Sequence, residues 1–254
     1  MSTNADRDLE GRVALVTGAG RGVGAAVAVQ LASRGARVAL AARTEKDLAH
    51  IASFVTENGG EALPVRCDVT QEASVANLFR EARERLGPID ILVNNAGLAL
   101  AAPFDEQTPD DWRRLLDTNL VSTLLCSRAA LADMRPRGRG VIINVASVSG
   151  VSGVEKFPGL AVYAATKGAV IAFSEALAAE VRPHGVRVVC VSPGSVKTKM
   201  LEGLASPEVV EAAMTPGRIA GVIAFLATDT ASAVTQSNVV VWGPPAGAAK
   251  PANV

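Results

Sequence analysis

Tyr163 and Lys167 stand four residues apart in Tyr163-Ala164-Ala165-Thr166-Lys167, a spacing that makes them neighbours on one face of a helix. A phenol titrates near pH 10 and is a poor acid or base at neutral pH. In a cleft, an ammonium about 4 Å away contributes on the order of 4 kcal/mol at an effective dielectric of 20, roughly three pKa units. In bulk water the same pair gains only about 1 kcal/mol. A sheltered pair is therefore proton-transfer machinery, and an exposed one is an ordinary surface contact. A second stretch offers ligand binding. Val13-Ala14-Leu15-Val16-Thr17 is apolar, breaks into Gly18-Ala19-Gly20-Arg21-Gly22-Val23-Gly24, and resumes with apolar residues at helical spacing to Leu31. Glycine admits φ > 0, removes the Cβ that would block a ligand, and leaves the N–H groups of the helix start open to an anion such as a dinucleotide pyrophosphate. The spacing Gly18-x-x-x-Gly22-x-Gly24 differs from GxGxxG, and a tight strand-to-helix turn without a ligand is the alternative.

The elements that must position these groups alternate along the chain. Apolar strands are expected at Val13–Val16, Arg37–Ala41, Ala62–Arg66, Ile89–Asn94, Val141–Ala146 and Val186–Ser192. Helices are expected from Val23, from near Thr44 with Asp47 in its first turn, over Gln71–Leu86, over Asp110–Met134 and over Val162–Val181. Thr108-Pro109-Asp110-Asp111 carries the hydroxyl, proline and carboxylates of a helix start, and Arg135-Pro136-Arg137-Gly138-Arg139 stops that helix. Such alternation implies an α/β fold, a doubly wound parallel sheet with helices on both faces. One domain is expected over residues 11–243, between a polar segment 1–10 and a Pro/Gly/Ala-rich tail 244–254, with the weakly patterned stretch 195–214 as a lid. Lys and Arg number 25, as do Asp and Glu, so no charge excess points to nucleic acid, and the ligand is expected to be small. Cys67, Cys126 and Cys190 lie far apart in apolar surroundings and only His50 and His184 supply imidazoles; reduced core thiols and no metal centre are expected. No secretory or membrane-spanning pattern stands out, which makes a cytoplasmic protein the expectation.

Taken together, these stretches resemble the short-chain dehydrogenases/reductases. Their Thr-Gly-x-x-x-Gly-x-Gly is matched by Thr17 to Gly24, their Asn-Asn-Ala-Gly by Asn94-Asn95-Ala96-Gly97, their Tyr-x-x-x-Lys by Tyr163 to Lys167, and their Pro-Gly-x-Val-x-Thr by Pro193-Gly194-Ser195-Val196-Lys197-Thr198. The resemblance runs from about residue 10 to 242. It implies a Rossmann-type fold of about seven strands and a hydride transfer between a nicotinamide cofactor and a carbonyl or alcohol. It also implies four catalytic residues. Tyr163 would exchange the proton with the substrate oxygen, Ser147 would hydrogen-bond that oxygen, and Lys167 would lower the Tyr163 pKa and hold the nicotinamide ribose. Asn119 would position a water in the proton relay, or serve as a helix-distorting side chain bonded to backbone. Gly18, Gly22, Val23 and Gly24 would hold the pyrophosphate, Asp68 and Val69 would cover the adenine, and Asn95, Ala96 and Gly97 would support the adenosine ribose. Asn95 as backbone glue is an equal reading. Pro193, Gly194, Val196 and Thr198 would face the nicotinamide.

NAD-using relatives carry an acid at the end of the second strand. Here that place holds Ala42, and Arg43 follows with Thr44, so NADP(H) is favoured over NAD(H), with Arg43 and Arg21 as partners of the 2′-phosphate. The expected activity is NADPH-dependent carbonyl reduction. A narrower alternative is 3-oxoacyl-carrier-protein reduction, in which Arg135, Arg137 and Arg139 would dock an acidic acyl carrier protein, a solvated basic loop being the commoner explanation of such a cluster. A non-catalytic NADP(H) sensor is the alternative of another class. Ser147 and Tyr163 are 16 residues apart, a few more than is common in the family. The extra length carries Val151, Val154, Phe157 and Leu160, which together with Leu98, Met200, Leu201 and Leu204 form either a hydrophobic pocket or ordinary core. Val239-Val240-Val241-Trp242-Gly243-Pro244-Pro245 departs from the family's ending, as does Thr235-Gln236 before it. A homo-oligomer is expected, a dimer or a tetramer.

Overall fold

The computed structural model describes residues 7–234 and 237–243. Segments 1–6 and 244–254 and the pair Thr235-Gln236 lie outside the described residues. Seven strands form one parallel sheet in the order β3-β2-β1-β4-β5-β6-β7. β1 (Val13–Thr17), α1 (Gly22–Ser33), β2 (Arg37–Ala42), α2 (Glu45–Glu57), β3 (Glu61–Arg66) and α3 (Glu72–Leu86) make up the first half. β4 (Ile91–Asn94) follows, then α4 (Pro109–Leu116), α5 (Ser122–Arg137), β5 (Gly140–Val145), α6 (Ala161–Val181) and β6 (Val186–Pro193). The short helices α7 (Lys199–Glu202) and α8 (Pro207–Ala212), then α9 (Pro216–Leu226) and β7 (Asn238–Val241), complete it. The chain is wound outward from β1 and β4 in both directions. All strand ends that point to helix starts therefore gather on one edge of the sheet, and the crevice where the winding reverses lies beyond β1 and β4.

The unbroken apolar runs have their cause in the layers above and below. In β1, Val13 and Leu15 join the core beneath α3, α5 and α6, whereas Ala14 and Val16 join the core beneath α1, α2 and α9. Alternate side chains of Val13 to Val16 serve two cores, so none of these four positions is free to be polar.

Two boundaries differ from expectation. β4 starts at Ile91, because Asp90 is spent as a junction: its carboxylate accepts from the Val13 N–H at 3.0 Å and from Arg137 at 2.7 Å. The long helix expected over Asp110–Met134 is not continuous. α4 is capped by Thr108 and Asp111 in a reciprocal capping box; a π-turn over Asp117–Val121 then separates it from α5. α5 runs on through Pro136 and ends where Gly138 takes a left-handed conformation, φ 63°.

Asp90 is only 3% exposed. Asp90→Ala removes the acceptor of the Val13 N–H and of Arg137 Nη1, while Arg137 keeps the Asp133 and Ile89 carbonyls, at an expected cost of about 3 kcal/mol. For a chain of this size that is a fall of about 10 °C in Tm. A melt shifted by less than about 3 °C would show the junction to be dispensable.

Candidate active site

The glycine turn is built by exclusion. A Cβ on Gly24 would fall 2.3 Å from the Gly18 carbonyl oxygen and 2.4 Å from Asn95 Nδ2, so α1 rests directly on the turn. Gly18 and Gly22 take positive φ, 65° and 57°. Thr17 and Asn95 staple this turn to the end of β4. The Thr17 hydroxyl accepts from the N–H groups of Asn95 and Ala96, both at 3.0 Å, and Asn95 Nδ2 donates to the Thr17 carbonyl at 3.0 Å. The backbone-glue reading of Asn95 is the one its contacts describe. No side chain caps α1 and its first turn contains no acid, so the N–H groups of Gly22, Val23 and Gly24 sit where an anion is best received. Arg21 is exposed beside them. A dinucleotide pyrophosphate fits this surface on charge and on hydrogen-bond sense.

The remaining expected ligand positions lie along the same edge. Arg43 and Thr44 are exposed at the end of β2. Asp68 folds back on Thr70, accepting from its N–H at 3.0 Å and its hydroxyl at 2.8 Å, with Val69 buried beside it. Gly194 donates to the Val241 carbonyl at 3.0 Å, fixing Pro193-Gly194 to β7. Thr198 lies against Gly22 and caps α7 through its hydroxyl. A Cβ on Gly97 would sit 3.4 Å from Asn119 Oδ1 and 3.5 Å from Lys167 Nζ. Gly97 is thus the point where the glycine-turn half meets the tyrosine half.

In that second half Ser147 follows β5 in extended conformation and its Oγ accepts from the Ser149 N–H at 3.2 Å. Gly150 packs backbone to backbone on Gly168, where a Cβ would fall 2.5 Å from Lys167 C. This contact seats the Ser147 turn against α6, near enough to Tyr163 for the Ser147 hydroxyl to lower the phenol's pKa. Tyr163 and Lys167 are both buried, 9% and 5% exposed. The Lys167 ammonium donates to the Val145 carbonyl at 3.0 Å and lies 5.9 Å from the centre of the Tyr163 ring.

The electrostatics correct the expectation drawn from spacing. Burial raises the Tyr163 pKa, and the Ser147 hydrogen bond is what opposes it; the lysine charge is aimed at a carbonyl and not at the phenol oxygen. Desolvation lowers Lys167 itself to about 8. The Asn119 contacts are those of its second reading, a side chain bonded to backbone beside a distorted helix. Its Oδ1 accepts from the Leu98 N–H at 2.8 Å, while its Nδ2 donates to the Leu98 carbonyl at 2.9 Å and to Thr166 Oγ1 at 3.0 Å. Both amide protons are used, so the side chain is a clasp between the π-turn, the Leu98 loop and α6.

Gln107 was not legible as a site residue. It is 6% exposed, and its Nε2 donates to the carbonyls of Ala102 at 2.9 Å and Gly159 at 3.3 Å. With the Ala102 N–H donating to Gly159 at 3.1 Å, it joins the loop after β4 to the extra length before α6. Lys156 holds the other end of that length, donating to the carbonyls of Ser149 and Val151. The only signal was the unusual Ser147–Tyr163 spacing, which requires something to anchor the added residues.

A family model described as short chain dehydrogenase matches residues 12–208. The chain belongs to the short-chain dehydrogenases. It is 36% identical over 231 residues to the 3-oxoacyl-[acyl-carrier-protein] reductase of Synechocystis, covering 89% of this chain and 92% of that one. It is also 36% identical over 244 residues to the meso-2,3-butanediol dehydrogenase of Serratia marcescens, covering 92% and 94%. The crystal structure of a short-chain type dehydrogenase/reductase from Mycobacterium marinum superposes with a TM-score of 0.89 at 35% identity, covering 95% of this chain and 98% of that one. As a short-chain dehydrogenase, the protein is an oxidoreductase acting on CH–OH or C=O groups with a nicotinamide cofactor.

Other expectations meet particular contacts in this short-chain dehydrogenase. The arginines considered for carrier docking are engaged at the opposite edge of the sheet, before β5: Arg137 and Arg139 on Asp90, the latter at 3.3 Å, and Arg135 on Glu180 at 3.7 Å. The stretch 195–214 is not unpatterned. Val196 pairs with Met214, and Lys197 bonds Glu211, closing α7 and α8 into one loop beside Gly22 and Thr198. The three cysteines are buried free thiols, with Cys190 pushed up to about 11 and Cys126 to about 12 by burial. Among the described residues, no group of three or more metal-ligating side chains occurs, and no helix is long and apolar enough to cross a membrane.

Proposed function

We propose that this short-chain dehydrogenase reduces ketones with NADPH, and oxidises secondary alcohols in the reverse direction, with Tyr163 as the acid/base. The observation that carries the reading is the buried Tyr163–Lys167 pair on one face of α6, with the Lys167 ammonium 5.9 Å from the phenol ring and the Ser147 turn packed on the same helix. Burial keeps the phenol protonated at neutral pH, which suits it to donate a proton to a carbonyl oxygen as negative charge develops there. Ser147 supplies a second hydrogen bond to the same oxygen. Lys167, held by Val145, supplies positive charge beneath the tyrosine in a site sheltered from water, where charge acts most strongly. Asn119 fixes the Leu98 loop and, through Thr166, the turn of α6 that carries both catalytic side chains. The nicotinamide, when bound, supplies or accepts the hydride.

Support for a hydrophobic substrate comes from burial. Leu98, Val151, Val154, Phe157, Leu160, Met200, Leu201 and Leu204 all stand outside the buried cores, with Phe157 and Met200 exposed. Apolar side chains left outside the cores are available to line a ligand pocket. The names of the relatives span 3-oxoacyl and small diol chemistry, so a 3-oxoacyl thioester is the second reading. The Arg135–Arg139 cluster does not favour carrier docking, since its guanidinium groups are committed and face the far edge. Self-association is assigned to α5 and α6, whose outer faces carry a groove lined by Leu124, Leu131 and Phe173.

Initial rates of NADPH and NADH oxidation over ketones, diketones and a 3-oxoacyl thioester test the activity. Binding of both cofactors with no turnover on any member would instead support a sensor. For the cofactor, Arg43→Ala is expected to weaken NADPH about 30-fold, the loss of a charge-assisted hydrogen bond to phosphate, and to leave NADH within about twofold. Equal losses for both would defeat the assignment.

A further inference from the structure

The end of β2 carries no acid in sequence, but the fold returns one to it. Asp47, in the first turn of α2, packs on the glycine turn: a Cβ on Gly20 would lie 3.0 Å from Asp47 Cβ, 3.8 Å from its Oδ2 and 3.5 Å from Ala42 Cβ. The carboxylate therefore stands beside the very residue that replaces the acid of NAD-using relatives.

The ordinary roles of a carboxylate at this position are not taken up. Three residues after the N-cap Thr44, it is placed for a capping box, yet α2 has no side-chain cap hydrogen bond. Its first-turn neighbour Glu45 approaches Arg66 at 3.9 Å. Among the described residues Asp47 makes no side-chain hydrogen bond or ion pair, and Arg43, four residues before it, does not pair with it either. An unpaired acid and an unpaired base thus flank the place where β2 ends against the glycine turn.

We propose that Asp47 is a cofactor-discriminating residue whose carboxylate opposes a 2′-phosphate and accepts from a ribose hydroxyl, offsetting the preference set by Arg43. The proposal rests on the cofactor reading above and deepens it. Arg43 attracts the phosphate and Asp47 repels it, so selectivity for NADPH is held below what the arginine alone would give. NADH remains a usable cofactor because its free hydroxyls find an acceptor. The opposing charges act across partly solvated space, and their influence falls as salt rises.

The test uses adenosine fragments that lack the nicotinamide and so report binding without turnover. Calorimetric titration of the full chain with 2′,5′-ADP and with 5′-ADP, at low salt, compares the parent with Asp47→Asn and Asp47→Ala. Both variants are expected to bind 2′,5′-ADP about tenfold more tightly, the effect of removing one nearby like charge. Both should bind 5′-ADP equally well or more weakly, and the gain should shrink in about 0.5 M salt. Unchanged affinity for 2′,5′-ADP in both variants, or an equal gain for both fragments, overturns the proposal. Arg43→Ala fails or succeeds independently: if it leaves 2′,5′-ADP unaffected, the NADP(H) reading falls, whatever Asp47 does.

Discussion

Tyr163→Phe will bind NADPH as the parent does and turn over ketones about a thousandfold more slowly. The substitution removes one oxygen atom and leaves the ring 5.9 Å from Lys167 Nζ. Proton donation is lost, while the polarising contact from Ser147 and the positioned cofactor remain; the residual rate is what those contribute. The Lys167 pKa adds a pH signature. Its ammonium is charged below about 8 and loses its proton as pH rises through that value. Reduction needs the protonated phenol and the cation together, so kcat/KM for a ketone should be level below about pH 8 and decline above it. Lys167→Arg, which cannot deprotonate in this range, should lose that alkaline limb even if its rate is low throughout. Full activity of Tyr163→Phe would remove tyrosine from the chemistry altogether.

Gly24→Ala will abolish high-affinity cofactor binding, with NADPH affinity falling about a hundredfold and the melt shifting downward. The new methyl would lie 2.3 Å from a carbonyl oxygen of the turn and 2.4 Å from the amide that staples it. Both obstacles are fixed, one by backbone and one by two hydrogen bonds, so the helix must back away from the turn. That movement carries off the N–H groups that face the pyrophosphate. Gly217→Ala is the control: it sits at the start of α9 with nothing within 4 Å of its new Cβ, and a slight gain in stability is expected. Equal cofactor affinity in the two variants would show that the turn yields more easily than its contacts imply.

The sheet and the glycine turn were legible because burial on both faces leaves strands such as Val13–Thr17 no freedom of composition, and because Gly18, Gly22 and Gly24 answer to steric demands that no other residue meets. Tyr163 and Lys167 drew notice as a phenol and an ammonium at helical spacing, and Ser147 only through the resemblance to the family. What escaped were contacts between segments distant in sequence. Spacing placed Tyr163 and Lys167 on one face but could not say that Val145 would draw the ammonium aside. The run Arg135 to Arg139 reads as a solvated or docking cluster until Asp90 is seen beneath it. Asp47 reads as a helix-start acid, and only the packing of α2 on Gly20 reveals its other neighbour. Gln107 has no local pattern at all, since its partners are carbonyls and carbonyls are present in every residue.

The π-turn at Asp117–Val121 has a hereditary consequence. A π-turn is an α-helix with one residue too many, so a single deletion within those five residues heals it into an unbroken rod. The healed rod would be the better helix. The flanking turns would stay in phase, but Asn119, whose reach from the widened turn to Leu98 and Thr166 depends on that bulge, would lose its aim. Length variation at this point is thus a filter that separates foldedness from competence: a lineage that drops the surplus residue keeps a sound scaffold and forfeits the clasp across its catalytic cleft.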